Sequence, residues 1–217
     1  MTVALIPQHE RVDAAAVRDG LARCLATVER HATWLTALDS VLGDGDHGDN
    51  LVIGFRAVAE QLTELPTETP PGELLRAVGH RLVAAVGGAS GPLYGTAFLE
   101  AGAAVGDGAV LTSQDLAAAF RAAAAGLARR GRCAPGDKTI LDALAPAADA
   151  FARAVAAGEP APAGFARAVT AAAGGMRATR PMVARRGLAL RLGERSRGHL
   201  DPGAVSCVLL LRALGGR

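Results

Sequence analysis

The chain has 217 residues, half of them apolar but only 3% aromatic, with a formal charge of +2 and three cysteines. That length suits one domain with a good core, residues 1–217. The balanced charge, without a basic stripe interleaved with aromatics, excludes a nucleic-acid partner. Much of the apolar share is alanine, and β-branched alternation is scarce, so the expected class is all-α.

Eight helical segments are predicted in chain order. The first begins near Asp13, an N-cap residue, with Val17, Leu21, Cys24, Leu25 and Val28 on one face. The second starts near Asp49, read as its cap, and carries Leu51, Phe55, Val58 and Leu62. The third starts near Gly72 and presents Leu74, Leu75, Val78, Leu82 and Val86. The fourth follows Pro92, a first-turn proline. The fifth follows Thr112 or Ser113, with Asp115 placed for a capping box. The sixth follows Lys138 and contains Pro146, where a kink or restart is expected. The seventh starts near Ala163, breaks at Gly174-Gly175 and resumes through Met182. The eighth follows Asp201-Pro202, aspartate as cap and proline in the first turn.

Cys24, Cys133 and Cys207 are far apart and form no CxxC pattern, against a disulfide framework or a zinc site. Pro7, His9, Glu10 and Arg11 stand where a secretory leader needs an apolar run. The longest apolar stretch, Ala204 to Leu211, is far too short to span a bilayer. The expectation is a cytoplasmic protein without a membrane partner.

The connections alternate between ordinary linkers and unusual sequences. Gly43-Asp44-Gly45-Asp46-His47-Gly48, Gly87-Gly88-Ala89-Ser90-Gly91-Pro92, Gly131 to Lys138 and Gly193 to Gly203 occupy every second connection. In an antiparallel up-and-down bundle, every second loop lies at the same end, so these four meet in one composite site.

Asp39, Asp44 and Asp46 lie at i, i+5 and i+7. Carboxylates gathered in one loop repel unless a cation lies between them, which points to a divalent metal with phosphate as its ligand. Magnesium is the natural ion; the spacing does not fit a calcium EF-hand loop. The alternative is that some of these aspartates only cap helices. Each special loop also runs into a helix N-terminus, whose N–H groups favour anions. The Gly87–Gly91 stretch has no bulky side chain, so a phosphate can approach its backbone and the Ser90 hydroxyl can donate to it. A close helix–helix turn is the other reading of that stretch. His47 either touches a phosphate or is a hydrogen-bonded loop residue. The chemistry indicated is phosphoryl transfer.

These four motifs, in this order, resemble the nucleotide-binding L subunit of dihydroxyacetone kinases and the matching domain of single-chain dihydroxyacetone kinases. The resemblance implies an eight-helix antiparallel up-and-down barrel with ADP or ATP and two Mg²⁺ ions at one end. It implies that Asp39, Asp44 and Asp46 ligate the metals. It also implies that His47, Gly48, Asn50, Ala89, Ser90, Gly131, Ile140, Asp201, Pro202 and Gly203 surround the nucleotide. The phosphoryl group then passes to a small ketose on a separate K subunit; a phosphotransferase-system M subunit and a homodimer are further candidate partners. One departure stands out: Leu188 takes the place of the family's phosphate-directed arginine, with Arg186 and Arg191 as replacements. That departure motivates an alternative reading, a nucleotide-loaded regulatory or interaction protein with reduced catalysis.

Overall fold

The computed structural model describes residues 11–216; the polar N-terminal residues Pro7, His9 and Glu10 fall outside them. Eight α-helices follow one another among these residues: α1 Ala14–Leu42, α2 His47–Glu64, α3 Pro71–Ala85 and α4 Ser90–Val105, then α5 Ser113–Gly131, α6 Leu141–Ala156, α7 Ala161–Ala178 and α8 Pro202–Leu214. Each helix packs on its neighbours in the chain, and α8 closes on α1. The result is an up-and-down helical barrel. Two short strands, β1 Val12–Asp13 and β2 Val110–Leu111, pair antiparallel and tie the start of α1 to the start of α5. The core is a continuous cluster of leucine, valine and alanine side chains. Phe120, Phe151 and Phe165 contact one another within it, with centroids 4.9–5.6 Å apart. No helix among the described residues is long and apolar enough to cross a membrane, and all three cysteines are free.

Several helix starts follow directly from capping chemistry. The Asp13 carboxylate accepts the Ala16 N–H at 2.9 Å. Thr112 and Asp115 form a reciprocal capping box at α5. The Asp201 carboxylate accepts the Ala204 N–H at 2.7 Å, ahead of Pro202 in the first turn of α8.

Other boundaries differ from the sequence expectation. Helix α2 begins at His47, so Asp49 lies in its first turn and caps nothing; its charge instead faces the positive end of the helix dipole. Helix α4 begins at Ser90, two residues before Pro92. Helix α6 runs unbroken through Pro146, and α7 runs unbroken through Gly174-Gly175 to end at Ala178, short of Met182. The last two corrections share a cause. Pro146 has no N–H for the Asp142 carbonyl one turn earlier. Helix α7 crosses at that point so closely that any side chain on Gly175 would strike the Asp142 carbonyl and the proline ring. The glycine marks close packing of two helices, not a break.

Helices α3 and α4 approach in the same way. Gly72 and Gly79 on α3 face Gly102 and Gly95 on α4: a β-carbon at Gly79 would lie 2.7 Å from the Gly95 carbonyl oxygen, and one at Gly95 2.8 Å from the Gly79 carbonyl oxygen. Glycines seven residues apart on both helices therefore bring the backbones together along their length. This seam fixes where the Gly87–Ser90 connection emerges.

Candidate functional site

All four special connections open on one cleft of about 660 Å³. Asp44 projects from the turn after α1, Asp39 from its last turn and Asp46 from the residue before α2. One carboxylate oxygen from each lies within 4.8 Å of the others. Asp39 builds the turn: its Oδ2 accepts the N–H groups of Gly45 at 2.9 Å and Asp46 at 3.1 Å. Both bonds use Oδ2, so Oδ1 is left for the cluster. Gly45 has φ +76°, a conformation glycine adopts without strain, and this folds the loop back over Asp39. Burial holds the Asp46 carboxyl above the usual range, and the charges of Asp44 and Asp39 add to it, while an Asn50 hydrogen bond pulls it down. A hard divalent cation satisfies this donor set of carboxylate oxygens.

The opposite wall comes from Gly88, Ala89 and Ser90 at the N-terminus of α4, and from Asp201, Pro202 and Gly203 at the N-terminus of α8. Two helix N-termini therefore present their first N–H groups to one cavity. Gly131, Cys133, Thr139 and Ile140 close the cavity from the α5–α6 connection. Here Lys138 has φ +62°, unusual for a residue with a long side chain. Its ammonium is buried and donates to the carbonyls of Thr179 at 2.7 Å and His199 at 2.5 Å. It thereby joins the α5–α6 connection to the segment leading into α8. That segment contains a 3₁₀ stretch, Leu188–Ser196, which the sequence patterning did not indicate.

A DAK2 domain family model matches residues 41–216, from the end of α1 onward. A Listeria innocua protein described as the ADP-binding subunit DhaL of PEP-dependent dihydroxyacetone kinase 2 is 42% identical over 190 residues, 87% of this chain and 88% of the relative. The chain belongs to the DAK2 domain family. The ADP-binding subunit DhaL of the Escherichia coli PEP-dependent dihydroxyacetone kinase is 38% identical over 89% of this chain and 92% of its own length. The dihydroxyacetone kinase of C. freundii, solved in complex with AMP-PNP and Mg²⁺, superposes with a TM-score of 0.72 at 27% identity; this chain is covered fully and spans 36% of that larger one.

In this DAK2 domain the cleft brings together Asp39, Asp44, Asp46, His47, Ala89, Ser90, Gly131, Ile140, Asp201, Pro202 and Gly203. Gly48 and Asn50 stand outside the lining. A side chain on Gly48 would strike the Ala32 carbonyl of α1, so this glycine serves helix packing. Asn50 lies behind the wall, near Gly87 and Gly88, and acts on Asp46. His47, the first residue of α2, is buried, with Nδ1 2.9 Å from Ser90 Oγ and Nε2 2.8 Å from Ser206 Oγ. Sequence reasoning missed Leu127 and Leu93 in the lining. It also missed Tyr94 and Ser206 behind it. Arg186 and Arg191, weighed as stand-ins for the arginine lost at Leu188, both line the cleft beside it. Arg186 is already engaged, by Asp137 at 3.5 Å and the Arg132 carbonyl at 2.5 Å. Arg130 and Arg191 are exposed and have no ion-pair partner among the described residues.

Asp201 gives this DAK2 domain a pH signature. Removal from water pushes its carboxyl up to about 7; the Ala204 N–H opposes this, Asp142 adds to it and Lys138 opposes it. The folded chain then holds a proton that the unfolded chain, with a carboxyl near 4, releases. Stability therefore falls as pH rises between about 4 and about 7. Asparagine also caps helices well, so Asp201→Asn should keep the cap and remove the slope. Urea unfolding at pH 5 and pH 7 should show wild type losing about 2 kcal/mol more than the variant. Equal slopes would contradict the assignment.

Proposed function

We propose that the chain is the nucleotide-binding subunit of a dihydroxyacetone-type kinase, supplying a phosphoryl group to the alcohol of a small ketose held on a separate K subunit. The observation that carries this reading is the meeting, in one cleft, of three carboxylate oxygens within 4.8 Å with the N-termini of α4 and α8. In it residues 1–217 act as one nucleotide-binding domain. Asp39, Asp44 and Asp46 would hold two magnesium ions, which when bound offset the charge of the nucleotide phosphates.

The chain's own groups do the positioning. Asp39 braces the metal loop through two backbone N–H groups while keeping one oxygen for the cluster. The first turns of α4 and α8 direct N–H groups and positive dipole ends at the phosphates. Arg130 and Arg191 add cationic charge at the mouth, in place of the arginine lost at Leu188. Ile140, Pro202 and Gly203 offer an apolar and backbone surface suited to the nucleoside. Gly48 and Asn50 support the nucleotide site from behind it. The relatives' description as ADP-binding subunits of PEP-dependent kinases supports a resident ADP and a phosphotransferase-system M subunit as the donor partner. A cytoplasmic location fits such a partnership. A homodimer is compatible with the reading but is not required for it.

The test is reconstitution. The chain, a K subunit, Mg²⁺ and dihydroxyacetone should give dihydroxyacetone phosphate when ATP or a phosphorylated M subunit is supplied, and none when the chain is left out. A mixture unproductive with both donors would overturn the kinase reading.

A further inference from the structure

Leu188 and Leu190 share one 3₁₀ turn at the mouth of the cleft and are 42% and 53% exposed. Leu188 lines the cleft; Leu190 does not and lies open to solvent. A single exposed leucine means little. Three observations set this turn apart.

The first is that its frame is already ordered. The Arg185 N–H donates to the Asp137 carbonyl at 3.0 Å, and the Arg186 side chain engages Asp137 and the Arg132 carbonyl. Ser196 Oγ accepts the Ala184 N–H at 2.9 Å and donates to the Gly193 carbonyl at 2.7 Å. The Lys138 ammonium holds both ends of the α7–α8 connection, at the Thr179 and His199 carbonyls. The residues between Gly187 and Gly193 are thus displayed from fixed points, which lowers the ordering cost of any docking there.

The second is charge. Arg130, Arg132, Arg185, Arg191 and Arg195 are exposed and have no ion-pair partner among the described residues. The neighbouring acids are already engaged, Asp137 by Arg186 and Glu194 by Arg197. Arg130 and Arg191 line the cleft, where phosphates would meet them. Arg132, Arg185 and Arg195 do not line it, so a nucleotide leaves their charge unmatched. An apolar centre bordered by arginines is the make-up of a protein interface, and these arginines call for an acidic partner.

The third is the reaction. The acceptor alcohol sits on another protein, so transfer requires that protein to cover the mouth, bring the alcohol to the phosphate and keep water out.

We propose that the Leu188–Arg191 turn anchors the docking surface for the ketose-bearing K subunit: Leu188 and Leu190 enter an apolar recess of that subunit, and Arg132, Arg185 and Arg195 meet its acidic rim. This rests on the kinase reading above. It gives the leucine at position 188 a partner to hold, where an arginine would have held a phosphate.

The test measures binding to the K subunit that supports the reconstituted reaction, with nucleotide binding as a separate readout. Calorimetric titration of that subunit into the chain saturated with Mg·ADP should give an affinity that Leu190→Ser lowers about tenfold. Ile53→Ser, on α2 and at a side chain of the same 53% exposure, should lower it less than about twofold. Both variants should bind Mg·ADP as wild type does, because neither side chain lines the cleft. In the reconstituted reaction Leu190→Ser should raise the KM for the K subunit and spare kcat. Wild-type affinity should fall as NaCl is raised, and Arg185→Gln/Arg195→Gln should flatten that dependence. Undiminished affinity in Leu190→Ser, or equal losses at Leu190 and Ile53, would overturn the docking surface and leave the kinase reading standing. A wild-type dimer in sedimentation that Leu190→Ser dissolves would do the same, by assigning the turn to a second copy of this chain. A wild type that neither binds Mg·ADP nor yields product would overturn both.

Discussion

Asp39→Asn should weaken Mg·ADP binding by at least about a hundredfold, roughly 3 kcal/mol, while leaving the fold intact. The substitution keeps an oxygen that can accept the Gly45 and Asp46 N–H groups, so the turn before α2 retains its brace. It removes one of three charges from a donor set whose oxygens lie within 4.8 Å of one another. The charges of Asp39 and Asp44 both raise the Asp46 carboxyl, so the metal-free variant loses repulsion rather than support. Its thermal midpoint should equal or exceed that of wild type. Glu60→Ala, on an exposed side chain of α2 far from this turn, should change neither quantity. Calorimetric titration of the three proteins checks this. Similar losses at Asp39 and Glu60, or a lost fold in Asp39→Asn, would place the metal site elsewhere.

Gly79→Ala should lower stability by about 3 kcal/mol, a midpoint drop of about 10 °C for a chain of this size. Alanine within a helix ordinarily gains up to about 1 kcal/mol over glycine. At Gly79 the added methyl meets the Gly95 carbonyl oxygen at 2.7 Å and the Leu99 nitrogen at 2.8 Å, both backbone atoms that cannot turn aside. The control is Gly174 on α7, where nothing lies within 4 Å of an added β-carbon. There the ordinary helical gain should appear. Opposite signs in differential scanning calorimetry support the glycine seam; two stabilising substitutions would contradict it. The seam positions the Gly87–Ser90 connection, so Gly79→Ala should also weaken Mg·ADP binding in the protein that remains folded.

The metal loop and the end-face site were readable because their signals are local or depend only on order. Asp39, Asp44 and Asp46 fall within eight residues, and the alternation of the connections needs nothing beyond an up-and-down path. Caps at Asp13, Thr112 and Asp201 were readable for the same reason: a side chain serves an N–H three residues away. The Tyr94–Ser206 contact joins residues 112 positions apart, and no sequence spacing encodes it. Gly175 and Pro146 each suggest a break when read alone. Only their juxtaposition shows that the proline frees a carbonyl and the glycine lets α7 pass over it. The packing of Gly48 on α1 and the place of Asn50 beside Gly87 and Gly88 were not readable, because their partners are distant in sequence.

The function of the cleft turns on whether the carboxylate cluster and the two helix N-termini act on one ligand. Titrating ADP into the wild-type chain by calorimetry, once with Mg²⁺ and once with EDTA, tests this directly. Coupling through the metal predicts tight binding with Mg²⁺ and a loss of at least about a hundredfold in EDTA. Equal affinity in both, or no binding in either, would contradict it.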